Sequence, residues 1–443
     1  MGYEKVEYEK MEPENIEYGN RQYERALLAG VCLDDDTQEF ARSIEELKSL
    51  VKACYMEPAA VVTQNLDHKN KAFYLGTGKV QEVKETAVAV SADVVVFDDA
   101  LTPSQLNNLQ KELELPVLDR TALILDIFAV RARTREAKLQ VESARLKYLL
   151  PRLTGMHEAL TRQGGASGSM SNKGAGEKKL ELDRRRIEKR IAQLNRELAE
   201  VSAEREVQRH KRQSARIPLV AMVGYTNAGK STIMNALVDR YVKDDEKKVL
   251  EKDMLFATLD TTVRQIRTGN NQDFLLSDTV GFIHKLPHGL VRAFRATLEE
   301  VQNADLLLQV VDVSDPHYKS QMLTTQEILA ELHAADLPMI TVYNQADRCG
   351  QTVEYPKRAG EDKVFLCAKQ EASLELLVQM ILERVYKDYV NAEFLIPYAD
   401  GEITSYLMEQ AQVMESAYKE NGTWLSVRCH KADREKYRRF LIS

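Results

Sequence analysis

The sequence predicts an α/β multidomain chain: an N-terminal α/β domain, an antiparallel helical hairpin, a P-loop domain with a doubly wound, mostly parallel sheet, and a small C-terminal α+β module. Three observations predict it. Short apolar runs alternate with amphipathic stretches over residues 26–128, the pattern of a parallel sheet with crossover helices. Two seams of Leu and Ile at helical spacing flank a Gly/Ser-rich run between residues 131 and 216, as paired helices require. Residues 224–231 read GYTNAGKS directly after the apolar run 219–223, which is the strand, glycine-rich loop and helix start of a phosphate loop.

A chain of 443 residues exceeds one ordinary core and predicts about three domains. No run approaches the roughly 18 apolar residues of a membrane span. The first residues, MGYEKVEYEK, lack the basic-then-apolar layout of a secretory signal. The expectation is a cytoplasmic protein with no membrane span. The five cysteines are scattered, without a CxxC pair, which argues against a disulfide framework or a zinc site. Charge is uneven: residues 131–216 hold 22 Lys+Arg against 11 Asp+Glu inside a chain of net charge −7. A basic segment in an acidic protein is the electrostatic footprint of a nucleic-acid contact, although a solvated helical hairpin gives the same count.

Taken in order, residues 1–20 read as a flexible acidic leader. In the N-terminal domain, 21–130, strands are expected at 26–33, 60–63 and 93–97 and helices at 38–54 and 79–89. Thr102 then supplies an N-cap, with Pro103 at the first helical position, for a helix through 112. Gly76-Thr77-Gly78-Lys79 has the wrong spacing for a second phosphate loop and reads as a turn entering a helix. In the basic hairpin, 131–216, one helix carries Leu139, Leu146, Leu149 and Leu153, with Pro151 kinking or weakening it. The other carries Ile187, Ile191, Leu194, Leu198 and Val201. Between them, residues 164–176 form a Gly/Ser-rich tip that cannot bury a core. Arg162, Lys173, Lys178, Lys179, Arg184 and Arg185 in and around that tip are candidate RNA contacts, on a probe that orders on an RNA surface; a plain linker is the alternative. The P-loop domain spans 217–387. The C-terminal module, 388–443, reads as strand 394–396, helix 403–415, strand 424–429 and a basic end at 431–439.

The chemistry concentrates in the P-loop domain. Gly224, Tyr225, Thr226, Asn227, Ala228, Gly229, Lys230 and Ser231, followed by Thr232, bring backbone N–H groups and a helix N-terminus to a polyphosphate. Lys230 would reach the β- and γ-phosphates and the Ser231 hydroxyl would bind Mg²⁺. Asp278, Thr279, Val280 and Gly281 form a DxxG motif after the strand 274–276: the aspartate holds Mg²⁺ through water and the glycine amide contacts the γ-phosphate. Upstream, Phe256, Ala257, Thr258, Leu259 and Asp260 supply a threonine able to complete the Mg²⁺ shell; Thr261 or Thr262 could substitute. Lys230, Thr258 and Gly281 are thus the catalytic candidates, and Ser231 and Thr258 the Mg²⁺ ligands. Asn344, Gln345, Ala346 and Asp347 stand where a guanine-reading NKxD motif follows the strand 339–343. Asp347 would accept from guanine N1 and N2, a pairing adenine cannot match. Cys367, Ala368 and Lys369 correspond to the loop that backs guanine O6. The set points to a P-loop GTPase domain binding GTP and GDP. Two departures stand out. Gln345 replaces the usual lysine, and Phe282, after Gly281, cannot orient an attacking water, so turnover alone should be slow. Asn227 is a candidate for holding K⁺ against the β/γ-phosphates.

With these motifs in place the chain resembles the HflX-type GTPases, ribosome-associated members of the Obg-related translation-factor GTPases. The resemblance is carried by residues 104–106, 119–128, 133–136, 147–153 and 162–165, and in the P-loop domain by 224–231, 256–260, 278–283, 286–288 and 293–300. It spans about residues 22–440. It implies a cytoplasmic GTPase that binds the large ribosomal subunit and splits or rescues stalled ribosomes, with the hairpin directed at the subunit's catalytic RNA. The chain departs from the family at residues 166–180, where the tip is longer and more basic on its exit side, so an antibiotic-displacing variant role is an alternative. A second alternative, of a different class, is a metabolic P-loop NTPase with an oligomerisation hairpin. A nucleotide-binding scaffold without turnover is a third. The expected protein is a monomer.

Overall fold

A computed structural model of the chain describes residues 24–33, 37–163, 170–214, 217–242, 256, 259, 262–269, 272–287, 290, 300–352 and 354–442, with backbone alone for 154–163, 170–180, 204–214 and 351–352. The expected leader, 1–20, lies outside the described residues, as do Ala257, Thr258, Asp260 and Thr261. The chain divides into two compact units, Met1–Ala199 with Lys285–Ala293, and Glu200–His284 with Phe294–Ser443.

The first unit is built on four parallel strands, β1 (Arg25–Cys32), β2 (Glu57–Asn65), β3 (Val94–Phe97) and β4 (Val117–Asp119), in the order β2-β1-β3-β4. All four residues of β3 are buried, as expected of a parallel strand covered on both faces. Helices α1 (Thr37–Ala53), α2 (Thr77–Ala89), α3 (Pro103–Leu113) and α4 (Arg120–Arg131) make the connections. The turn at Gly76 does open a helix, α2. At α3 the expected cap is a full capping box: Gln105 N–H donates to Thr102 Oγ1 (3.2 Å) and Thr102 N–H to Gln105 Oε1 (3.0 Å), satisfying two otherwise orphaned donors.

Two buried carboxylates organise the carboxyl edge of this sheet. Asp98, fully buried after β3, accepts from Ser43 Oγ (2.7 Å), Arg120 Nη1 (2.7 Å) and Lys285 Nζ (2.6 Å); Arg120 also pairs with Glu46. Its neighbour Asp99 accepts from Tyr74 Oη (2.5 Å) and pairs with Lys69 and Lys285, each at 2.9 Å. Burial works to raise the Asp99 pKa, but the Lys285 charge and the hydrogen bonds from Tyr74 and Lys69 outweigh it and hold the carboxyl down to about 2. Asp119, at the end of β4, accepts from Ala122 N–H (2.8 Å) and Leu101 N–H (3.0 Å), capping α4. It also accepts from Tyr148 Oη (2.8 Å) and Arg152 Nη2 (2.9 Å). Both donors lie on α5 (Arg135–Gln163), so the first hairpin helix is fastened to the sheet.

Helix α5 pairs with α6 (Met170–Ser214) through Leu139, Leu146, Ile187 and Leu194, flanked by Leu150, Leu153, Ile191 and Leu198. Arg190 adds a two-pronged ion pair to Glu142 at 2.6 and 2.9 Å. The expected seam is present except at two positions, since Leu150 rather than Leu149 packs into it and Val201 does not belong to it, and α5 runs through Pro151. The expected tip is corrected: α6 begins at Met170, so residues 170–176 are helical rather than part of a Gly/Ser-rich break. Ser and Asn are tolerated better at helix starts than in helix interiors, and Ser171 and Asn172 stand in the first turn of α6.

Among the described residues of the second unit, seven strands lie in the order β10-β11-β9-β8-β5-β7-β6. They are β5 (Leu219–Val223), β6 (Thr262–Ile266), β7 (Phe274–Asp278), β8 (Leu306–Asp312), β9 (Met339–Asn344), β10 (Lys357–Arg358) and β11 (Lys363–Phe365). Only the outer pairings, β6 with β7 and β10 with β11, are antiparallel, which matches the doubly wound, mostly parallel expectation. Helices α7 (Lys230–Tyr241), α8 (Tyr318–Glu331) and α9 (Glu371–Val385) follow β5, β8 and β11, and the core runs from Met222 and Ile233 through Leu308 and Val342 to Leu377. The same unit carries an antiparallel sheet of β12 (Tyr389–Ile396), β13 (Gln412–Lys419) and β14 (Gly422–His430), in the order β12-β14-β13, with α10 (Gly401–Gln410) and α11 (Lys431–Lys436). Here the expected helix 403–415 is corrected: α10 stops at Gln410 and residues 412–415 enter β13. β13 is an edge strand exposed over most of its length, so no buried alternation marked it in the sequence. Among the described residues no helix is long and apolar enough to cross a membrane.

The Asp98 cluster generates a stability expectation. Asp98→Ala leaves a 1%-exposed Arg120 short of its most buried partner and should destabilise the first unit by about 3–5 kcal/mol, the usual result of breaking a buried ion pair from one side. Urea unfolding followed by hydrogen exchange of β3 amides measures it; a loss below about 1 kcal/mol would contradict the reading.

Candidate guanine-nucleotide site

The loop between β5 and α7 takes its shape from positions where only glycine fits. Gly224 stands at φ +147, and a Cβ there would lie 2.2 Å from the Val310 carbonyl oxygen on β8. Gly229 stands at φ +93, and its Cβ would lie 2.2 Å from Asn344 Nδ2. Asn227, the candidate K⁺ contact, also has positive φ, +61. Such a loop lets backbone N–H groups converge on an anion at the start of α7.

Lys230, 6% exposed, turns its ammonium back to the carbonyl oxygens of Gly224 (3.0 Å) and Tyr225 (2.8 Å). Burial pushes its pKa down to about 8, against the opposing pull of the Asp278 carboxylate. Ser231 Oγ donates to Asp278 Oδ2 at 2.8 Å. The P-loop hydroxyl and the DxxG carboxylate, forty-seven residues apart by sequence, thus meet as adjacent oxygens, the hard donor set that suits Mg²⁺. Ser231 would hold the ion directly and Asp278 through water; once bound, Mg²⁺ neutralises charge on the β- and γ-phosphate oxygens. Thr279 Oγ1 donates to the Met222 carbonyl (2.6 Å), pinning the DxxG loop to β5. Val280 and Gly281 follow, with Gly281 against Thr226: a Cβ on Gly281 would meet Thr226 Cα at 2.8 Å.

On the base side, Asn344 ends β9, 2% exposed, and its amide works in two directions. Nδ2 donates to the Ala228 carbonyl (3.0 Å) and Oδ1 accepts from Ala368 N–H (3.2 Å). The phosphate loop and the loop holding Cys367, Ala368 and Lys369 are thereby bracketed by one side chain. Gln345, at φ +59, sends Nε2 to the Asn227 carbonyl (3.4 Å), so the residue standing for lysine still touches the phosphate loop. Ala346 N–H donates to the Leu366 carbonyl (3.2 Å), and Asp347 is exposed at the head of a short 3-10 helix, Ala346–Thr352. Burial pushes the Cys367 thiol up, and its hydrogen bond to Asp347 adds to the shift. A thiol can hold the Asp347 carboxylate in place as a serine hydroxyl would.

Comparison with known proteins matches three successive segments of the chain. Residues 41–129 match the family profile described as GTP-binding GTPase N-terminal, 131–212 that of GTP-binding GTPase Middle Region, and 219–345 that of 50S ribosome-binding GTPase. A protein named GTPase HflX from Caldanaerobacter subterraneus subsp. tengcongensis is 40% identical over 425 residues, 96% of this chain and 95% of that protein. The chain belongs to the HflX family of GTPases. The family member of Escherichia coli K12 is 38% identical over 403 residues, 90% of this chain and 92% of its own length. A solved structure of a GTP-binding protein from Sulfolobus solfataricus in complex with GDP aligns at TM-score 0.42 and 24% identity over 82% of this chain and 99% of that one.

Within this HflX-family chain, the P-loop, DxxG, NKxD-like and Cys367 motifs converge at the carboxyl ends of β5, β7, β9 and β11. Phe256 and Leu259 are buried, while Ala257, Thr258 and Asp260 lie outside the described residues, as do the side chains of Arg162, Lys173, Lys178 and Lys179. Arg184 and Arg185 are described and are not free: they pair along α6 with Glu188 (2.9 Å) and Glu181 (2.6 Å). The motifs did not reveal the two-way role of Asn344 or the pairing of Phe282 with the phosphate loop. Phe282, 1% exposed, was legible only as a residue unable to orient water.

The Lys230 environment sets a pH expectation. Phosphate needs the ammonium, whose pKa in the nucleotide-free protein is about 8. Affinity for GDP should therefore be level below that pH and fall as pH rises through it, by about fourfold between roughly pH 7 and pH 8.5. Calorimetric titration in matched buffers checks this; a flat profile would mean that Lys230 does not supply the charge.

Proposed function

We propose that the protein is a GTP-driven factor of the large ribosomal subunit, hydrolysing GTP to GDP and phosphate with Mg²⁺ and splitting or rescuing stalled ribosomes. The observation that carries the nucleotide part is the Asn344 bracket, which ties the Ala228 carbonyl of the phosphate loop to the Ala368 amide, with Cys367 of the same loop hydrogen-bonded to Asp347. Asp347 accepts from guanine N1 and N2, the backbone of Ala368 meets O6, Lys230 leaves its carbonyl partners for the β- and γ-phosphates, and the Gly281 amide reads the γ-phosphate. Ser231 and Thr258 are the Mg²⁺ ligands in this reading.

The Phe282 ring is buried and apolar, so no side chain at that position steers the attacking water. Turnover alone is then slow, and the ribosome completes the site. K⁺ held at Asn227 is a second source of charge stabilisation. The ribosomal part is supported by the basic balance of residues 131–216 and by the 50S ribosome-binding GTPase profile matched over residues 219–345. The hairpin is the RNA-directed arm, with Arg162, Lys173, Lys178 and Lys179 nearest its turn. Arg184 and Arg185 hold intrahelical carboxylate partners through one nitrogen each, and their remaining N–H donors would contact phosphates.

Two measurements test the proposal. Asp347→Asn should shift preference from guanine toward xanthine nucleotides by at least about tenfold, the scale of a lost charged hydrogen bond; equal GTP binding in the variant would overturn the base-reading role. Purified ribosomes should pellet the protein with a non-hydrolysable GTP analogue more than with GDP and should accelerate GTP hydrolysis. Hydrolysis insensitive to ribosomes would overturn the partner assignment.

A further inference from the structure

The phosphate loop and the DxxG loop are joined by a short zip inside the second unit. Phe282 N–H donates to the Gly224 carbonyl (3.1 Å), and Thr226 N–H donates to the Phe282 carbonyl (2.9 Å), so Tyr225 and Phe282 form a parallel bridge. One side chain closes it: Tyr225 Oη accepts from His284 N–H at 2.7 Å. Tyr225 is 7% exposed, so this bond is sheltered from competing water.

The zip and the phosphate-binding lysine share acceptors. The Gly224 carbonyl receives both the Phe282 N–H and the Lys230 ammonium, and the Tyr225 carbonyl receives the same ammonium. Gly281 is drawn in with them: the point where its Cβ would stand is 3.1 Å from Lys230 Nζ and 2.8 Å from Thr226 Cα. The Gly281 amide and the Lys230 ammonium are the two groups that would grip a γ-phosphate from either side, and here the Gly281 backbone is packed against that ammonium. The γ-phosphate and the zipped loop therefore compete for the same space, whereas the backbone amides from Asn227 onward, which serve the inner phosphates, take no part in the zip.

We propose that Tyr225 is a latch: by accepting the His284 amide it holds the DxxG loop closed on the phosphate loop in a resting state that the γ-phosphate of GTP, but not GDP, must open. Tyr225 is thus a positioning residue that sets the discrimination between the two nucleotides. The inference rests on the guanine-nucleotide reading of these loops.

Tyr225→Phe keeps the ring and removes the hydroxyl that accepts the His284 amide. The ratio of affinities for a non-hydrolysable GTP analogue over GDP should rise about fivefold, the worth of one sheltered hydrogen bond. In the nucleotide-free protein, the His284 amide should exchange with deuterium faster by a similar factor. A purely structural role for Tyr225 would change both affinities together and leave the ratio unmoved, which overturns the latch, as does a ratio that falls. If the wild-type chain binds neither nucleotide, the guanine-nucleotide reading fails and the latch with it. Binding of both by the wild type with an unmoved ratio in the variant removes the latch alone.

Discussion

The nucleotide site depends on a single buried amide. Asn344 spends its donor on the phosphate loop at Ala228 and its acceptor on Ala368, two segments that follow β5 and β11 and are reached together from the end of β9, which lies between those strands in one sheet. A side-chain amide offers a donor and an acceptor in one rigid plane, without a charge and at any physiological pH. A carboxylate would leave the Ala228 carbonyl facing another acceptor, and a hydroxyl is too short to serve both. The close approach of Gly229 to the same Nδ2 explains why the loop needs glycine there. The phosphate loop and the loop of Ala368 are consequently not placed independently; one residue at the end of β9 ties them together.

Much of this was legible in the sequence because phosphate and guanine chemistry demand fixed residue types at fixed spacing. The strand before Gly224, the glycines, Lys230, Ser231, Asp278 and Asp347 could be placed from the chain alone. So could the parallel sheets, since a short run as apolar as β3, bounded by polar residues, fits a strand buried on both faces. What escaped was whatever depends on backbone pairing between distant segments. The bridge between Tyr225 and Phe282 uses N–H and carbonyl groups that nearly every residue carries, so no side-chain pattern announces it. β13 escaped for the opposite reason: an edge strand exposed at six consecutive residues, on both faces, has no buried alternation to read. The start of α6 inside a Gly- and Ser-bearing run shows that composition alone misjudges where a long helix begins.

In the first unit the polar residues are as diagnostic as the apolar ones. Asp98, Asp99, Arg120, Tyr74 and Lys285 form a connected set at the carboxyl edge of the sheet, the edge where α/β folds usually place ligands. Here the charges are spent on one another. Asp98 and Asp99 each have at least two donors, so the cluster specifies how α1, β3 and α4 fit together and holds Lys285 against that sheet.

Asp119 has a geometric consequence beyond stability. The same two carboxylate oxygens end β4, start α4 and receive Tyr148 and Arg152 from the middle of α5, with the Arg152 guanidinium stacked 3.3 Å over the Tyr148 ring. A long helix fastened at one point swings like a needle about its pivot, and a small error there grows in proportion to the distance from it. Four donors converging on one side chain, from three different segments, remove that freedom. Asp119 therefore acts as the bearing of the hairpin: it sets the compass heading along which the far end of α5 leaves the sheet.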